Sequence, residues 1–223
     1  MGGNISPHKQ WLDNEYAQWV KALQESTVHN FKEHPVVRRM LGEISRQPWI
    51  DLCKGGFTIN GLDLIDSIGR KWDGEISGTG WRIIYYALEI LKRNPTSICE
   101  IGGGAGQLYA VLRVFGYKGT YWIYDLPEVQ QFQGLYLAEI EKQIGINLTQ
   151  TYQEGYDMFV SFYALGEFDD FLKLCHKPLI DHCNHGYIAW NAHSGASDDL
   201  SIFNNRDIKV SFGVEPNIKI IEW

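Results

Sequence analysis

Apolar residues fall into two rhythms along the chain, and the change comes near residue 95. In the front part, Trp11, Tyr16, Trp19, Val20 and Leu23 recur at the spacing that lines one face of a helix. Val36, Val37, Met40, Leu41 and Ile44 repeat that stripe after Pro35. Gln47-Pro48 is expected to stop this helix, because a residue before proline avoids helical backbone. Gly55-Gly56, Gly61, Gly74, Gly78 and Gly80 then mark a loop-rich stretch. A last stripe, Ile83, Ile84, Ala87, Leu88 and Leu91, predicts a helix over 81–91 that closes at Asn94-Pro95.

From residue 95 onward, short apolar runs alternate with amphipathic stretches. Strands are predicted at 97–101, 120–124, 147–152 (the weakest), 157–162 and 186–190. Helices are predicted between them at 105–114, 127–144 and 167–182, with Leu126-Pro127 as the entry to the second, since proline suits a first helical turn. Two further strands, 208–212 and 218–223, are joined by residues 213–217 with no helix between. Strand–helix alternation builds a parallel sheet covered on both faces. The closing hairpin makes the last strand antiparallel. The expected fold class is α/β: a mostly parallel seven-stranded sheet over residues 95–223, behind a helical N-terminal cap over 1–94.

Composition narrows the function classes. The 223 residues hold 20 Lys+Arg against 27 Asp+Glu, a net charge of −7. That balance argues against a general grip on nucleic acid, which needs a basic face. No apolar run reaches the roughly 20 residues of a membrane span. Cys53, Cys99, Cys175 and Cys183 show no close-spaced framework, so reduced thiols and a cytoplasmic setting are expected. Cys175, His176, His182, Cys183 and His185 fit no zinc-ligand spacing, and no metal ligand is assigned. Asp169, Asp170, Asp198 and Asp199 could support a divalent ion, but no spacing compels it.

The chemistry is concentrated at two strand ends. Ile98-Cys99-Glu100-Ile101-Gly102-Gly103-Gly104-Ala105-Gly106-Gln107 is a buried strand ending in an acid, then a glycine-rich turn, then a helix. Glycine allows positive φ and close backbone approach to a ligand. Gly102, Gly104 and Gly106 have GxGxG spacing, whereas the dinucleotide fingerprint is GxGxxG. At the end of the next strand, Tyr124-Asp125-Leu126-Pro127 places a carboxylate where it can hydrogen-bond both hydroxyls of an unphosphorylated ribose. Asp125 could also cap the following helix, but ribose binding is the favoured reading.

These residues resemble the first two motifs of class I S-adenosylmethionine-dependent methyltransferases. Phe159-Val160-Ser161-Phe162-Tyr163-Ala164-Leu165-Gly166-Glu167 is similar to the S-N-Y-A-x-S-E segment of sugar O-methyltransferases, with Phe162 in place of Asn and Gly166 in place of Ser. The resemblance covers residues 97–223. It implies a Rossmann-like fold and S-adenosyl-L-methionine as cofactor. The cofactor would be held by Glu100, Gly102, Gly103, Gly104, Gly106, Gln107, Asp125, Leu126, Ser161, Phe162 and Tyr163. It implies O-methylation of a sugar hydroxyl, on a glycan or a deoxysugar such as rhamnose, with S-adenosylhomocysteine as product. It also points to a module of a larger glycan-building polypeptide, of the kind large DNA viruses encode.

A sugar hydroxyl is a weak nucleophile, so a general base helps. His193 follows the fifth predicted strand and Glu167 the fourth, and both can face the cleft beyond the strand ends. His193 is preferred because histidine titrates near neutrality. Trp72, Trp81, Tyr85 and Tyr86 could line a sugar site or simply pack. The rival readings are a methyltransferase for another small-molecule or protein acceptor, an NAD-dependent oxidoreductase, and a non-enzymatic module with the same fold.

Overall fold

The computed structural model describes residues 16–41, 44–54, 61–68, 75–168, 170–191, 200–215 and 218–223. Five helices come first: α1 (Tyr16–Glu25), α2 (Pro35–Leu41), α3 (Gln47–Leu52), α4 (Leu62–Ser67) and α5 (Gly78–Leu91). Then β1 (Ser97–Ile101), α6 (Gln107–Val114), β2 (Thr120–Tyr124), α7 (Pro127–Ile144) and β3 (Met158–Phe162) alternate. α8 (Ala164–Glu167), α9 (Asp170–His182) and β4 (His185–Asn191) follow, and β5 (Lys209–Phe212) and β6 (Ile218–Glu222) form the closing hairpin.

Six strands form one sheet among the described residues, in the order β2-β1-β3-β4-β6-β5. β1 to β4 run parallel, and β6 is antiparallel to both β4 and β5. The α/β class and the antiparallel last strand match expectation. The seventh strand does not form. Residues 147–152 run beside β2, but one main-chain bond joins them to it, from Thr151 N–H to the Tyr121 carbonyl at 3.0 Å. The next ladder position goes to a side chain: Ile123 N–H donates to Gln150 Oε1 at 2.9 Å. The Ile123 carbonyl accepts from Gln130 Nε2 of α7 at 3.3 Å.

Strand alternation sends side chains to two apolar layers. Ile98, Tyr121, Ile123, Met158, Val160 and Tyr187 pack with Ile84 and Tyr86 of α5, Leu112 of α6 and Tyr136 of α7. Ala22, Phe31, Val37 and Trp49 of the front part join the same core, so its described residues are continuous with the sheet. Cys99, Ile101, Phe159, Ile188 and Trp190 face the other way, against Leu165, Ile180 and Phe203.

Four local expectations change. Pro48 lies in the first turn of α3, so Gln47-Pro48 opens a helix, as proline permits there. α4 sits inside the glycine-marked stretch, and Gly61 is its N-cap at φ +88°. The helix expected over 167–182 begins later, at Asp170, because Glu167 closes a separate short helix, α8, and Phe168 after it is extended. α5 starts at Gly78, earlier than expected, where the Ser77 hydroxyl accepts from Gly80 N–H at 3.0 Å.

Candidate cofactor-binding site

β1 delivers the chain to a turn of Gly102, Gly103, Gly104, Ala105 and Gly106, and α6 begins at Gln107. Gly102, Gly104 and Gly106 have φ of +72°, +56° and +84°, in the region where side chains are strained. Gly102 N–H donates to the Tyr124 carbonyl at 2.9 Å, tying the turn to the end of β2. Gly106 N–H closes the turn on the Gly103 carbonyl at 2.9 Å. Three of these glycines are packed. A Cβ on Gly102 would collide with the Ala164 Cβ, and one on Gly103 would lie 2.6 Å from Ile123 Cγ2. One on Gly106 would press on Leu137 at 3.2 Å. Gly104 differs: a Cβ there meets nothing within 4 Å. The turn therefore presents bare backbone to open space at the carboxyl edge of the parallel strands, where ligands of open α/β sheets bind.

Asp125 stands beside that space. Its Oδ2 accepts from Gly104 N–H at 3.1 Å and from Gln133 Nε2 at 3.0 Å, and its Oδ1 accepts from Leu126 N–H at 2.9 Å. Burial pushes its pKa up to about 6, against the pull of those three donors toward the charged form. A carboxylate offers about four acceptor directions, so one remains for a ligand hydroxyl while all three bonds hold. Leu126 is also the N-cap residue of α7.

Glu100 is buried beneath the turn, at 3% exposure. Its Oε2 accepts from the Tyr121 hydroxyl at 2.8 Å and lies where a Cβ on Gly103 would sit, 2.8 Å away. Burial pushes its pKa up to about 8. The Tyr121 bond opposes that rise and the nearby Asp125 charge adds to it. Glu100 thus supports the turn from below. Gln107 turns toward α4, its Nε2 donating to the Ile65 carbonyl at 3.4 Å.

The turn after β3 forms the neighbouring wall. Ser161 is fully buried, and its hydroxyl donates to the Ile101 carbonyl at 3.1 Å and accepts from Leu165 N–H at 3.1 Å. It joins the ends of β1 and β3. Phe162 stacks on Tyr86, ring centres 4.3 Å apart and planes within 3°. Tyr163 takes a positive φ of 75°, rare for a bulky residue. Its N–H donates to the Ala189 carbonyl at 2.8 Å, its hydroxyl lies 3.0 Å from that of Tyr86, and the Arg82 guanidinium sits 4.6 Å over its ring. Arg82 pairs with Glu215 of the β5–β6 turn at 3.1 Å.

His193, Trp72, Asp169, Asp198 and Asp199 lie outside the described residues. Glu167 ends α8, within the wall, and its side chain is not among those described. Tyr85 and Tyr86 pack with Trp49 at 5.6 and 5.7 Å. Among the described residues no three His, Cys, Asp or Glu side chains gather as a metal site, and no helix is long and apolar enough to cross a membrane. The sequence reading missed Tyr121, Gln133, Arg82 and Glu215. Gln133 did carry a signal, as a lone amide within the buried helical stripe Val129, Phe132, Tyr136, Leu137 and Ile140.

No family model and no curated protein matches the chain. Solved structures of methyltransferases are similar in shape. Magnesium protoporphyrin IX methyltransferase from Synechocystis PCC 6803, solved with bound S-adenosylmethionine, is 12% identical with a TM-score of 0.47, over 79% of this chain and 91% of that one. Mitomycin 7-O-methyltransferase is 13% identical with a TM-score of 0.46, over 95% and 67%. Human N-acetylserotonin methyltransferase, also in complex with S-adenosylmethionine, is 12% identical with a TM-score of 0.44, over 93% and 65%.

Proposed function

We propose that the chain is an S-adenosylmethionine-dependent O-methyltransferase acting on a sugar hydroxyl, of a glycan or of a deoxysugar such as rhamnose. One observation carries the cofactor half. The bare backbone at Gly104 and the carboxylate of Asp125 border the same open space, joined by their own hydrogen bond. That pairing suits a nucleoside, with the turn against its chain and the carboxylate on its ribose. When bound, S-adenosylmethionine supplies a methyl group already activated on a positively charged sulfur. The work left to the protein is alignment of the acceptor oxygen and removal of its proton. His193 is assigned the proton, with Glu167 as the alternative on the neighbouring strand end. Support for a sugar comes from the motif resemblance at residues 159–167. It also comes from the Arg82–Glu215 pair beside the Tyr163 ring, since guanidinium and carboxylate together donate to and accept from neighbouring hydroxyls.

Two measurements test this. Calorimetry is expected to show S-adenosylhomocysteine binding and no NAD binding, and the reverse result overturns the cofactor assignment. Labelled methyl transfer to a panel of rhamnosides, mannosides, phenols and proteins is expected to favour the glycosides. In that assay His193→Ala is expected to lose roughly 10²–10⁴ in turnover while keeping S-adenosylhomocysteine affinity. If Glu167→Gln is dead and His193→Ala active, Glu167 takes the role.

A further inference from the structure

Lys173 and Trp190 hold polar groups that no other described residue answers. Lys173, in the first turn of α9, keeps only 5% of its surface exposed. Its ammonium lies 5.1 Å from the centre of the Trp190 ring. Trp190 is the penultimate residue of β4 and fully buried, and its indole N–H has no hydrogen-bond partner. Among the described residues no carboxylate or carbonyl accepts from the Lys173 ammonium either. Lysine is rarely buried without a partner, and an aromatic face replaces only part of the hydration a cation loses. His176, one turn further along the same helix face, is buried with its ring 5.3 Å from that of Phe168. The group lies in the second apolar layer, across the sheet from Glu100, and β4 ends beside it at the same carboxyl edge as Phe162.

Two buried donors, one of them charged, with no acceptor among the described residues, define their complement: a negatively charged group that only accepts. We propose that Lys173 and the Trp190 indole N–H form a binding site for an oxyanion, a phosphate or a carboxylate. The site stands apart from the glycine-rich turn, and only the assignment of its anion to a sugar acceptor rests on the methyltransferase reading. Its place at the edge where β4 ends lets the anion belong either to free phosphate or to a charged group on a sugar acceptor.

Thermal unfolding of the full chain tests it, with inorganic phosphate, glucose 1-phosphate and glucuronate titrated at constant ionic strength against chloride. The expected result is a saturable rise in Tm with at least one oxyanion. Lys173→Met should abolish that rise, Lys173→Arg should retain it, and Trp190→Phe, which keeps the ring and loses the N–H, should weaken the response severalfold. S-adenosylhomocysteine affinity should be the same in all four proteins. Saturation by glucose 1-phosphate at far lower concentration than by inorganic phosphate assigns the anion to a sugar, and equal potency assigns it to free phosphate. No oxyanion response in the wild type, or a response that survives Lys173→Met, overturns the proposal. Should Trp190→Phe fail to fold, phosphorus-31 line broadening of the phosphate signal by wild type against Lys173→Met decides the matter in the same two ways.

Discussion

The turns after β1 and after β3 leave adjacent strands, side by side, and touch where Gly102 meets Ala164. Both use backbone of positive φ, and they put it to opposite ends. After β1 it is carried by glycines, and at Gly104 the missing side chain leaves room. After β3 it is carried by Tyr163, and the side chain fills its surroundings: the phenol meets Tyr86 and the ring lies under Arg82. A bulky residue in that conformation costs on the order of 1–3 kcal/mol and persists only where neighbours hold it. One turn therefore makes a vacancy and the other a wall, from similar φ values.

The sharpest way to break this contrast is to place one side chain at two glycines of the first turn. Gly102→Val should lose roughly 2–5 kcal/mol of stability in denaturant unfolding, because the new Cβ strikes Ala164 at a positive φ. Ala164→Gly should restore part of it. Gly104→Val should lose only about 1–2 kcal/mol, the conformational cost alone, yet show no heat with S-adenosylhomocysteine. A folded Gly104→Val protein with wild-type affinity would mean that the vacancy belongs to something else.

Glu100 under the turn gives the next effect. Its folded pKa of about 8 lies above the ordinary carboxylate value, so the folded state holds a proton that the unfolded chain releases. Its contribution is fully present below about pH 4.5 and is lost as pH rises through 8. Glu100→Gln keeps an acceptor for Tyr121 and removes the titration. Its stability should gain on the wild type by on the order of 4 kcal/mol between pH 4.5 and pH 9, read from urea midpoints. Parallel profiles for the two proteins would place the ionised carboxylate in the native state.

Asp125→Ala gives the smallest effect. Losing a charge-assisted bond to ribose should weaken S-adenosylhomocysteine binding by about 1.5–3 kcal/mol, tenfold or more. In the wild type, that affinity should fall as pH drops below about 6, where the carboxylate gains a proton, and Asp125→Ala should abolish this dependence. A dissociation constant unmoved by the substitution would put the ribose elsewhere.

Much of this was readable in the sequence where signals were local. Ser97–Ile101, Thr120–Tyr124 and Pro127–Ile144 have the bounds their patterns predict, since each is a full apolar run or stripe closed by a turn residue or proline. α4 was hidden because six residues are too short to show a period, and its N-cap Gly61 reads as loop. Residues 147–152 have a strand's pattern, but which groups answer an edge is decided by neighbours distant in sequence. The site divides along the same line. Asp125 and the glycines follow from spacing. Tyr121 under Glu100 and Glu215 on Arg82 depend on contacts across 21 and 133 residues, which no local pattern encodes, whereas Gln133 on Asp125 showed only as a lone amide in an apolar stripe.

The outer edge of β2 has a consequence for life at high concentration. A strand at the rim of a sheet normally offers a row of unpaired backbone groups on which another chain can template itself. Here three of the outward groups at Tyr121 and Ile123 are already taken: one carbonyl by Thr151, one N–H by the Gln150 side chain, and one carbonyl by the Gln130 side chain. Two glutamines thus do by side chain what a seventh strand would do by backbone, without exposing a fresh edge of their own. A growing aggregate arriving at this rim finds most of the ladder already occupied.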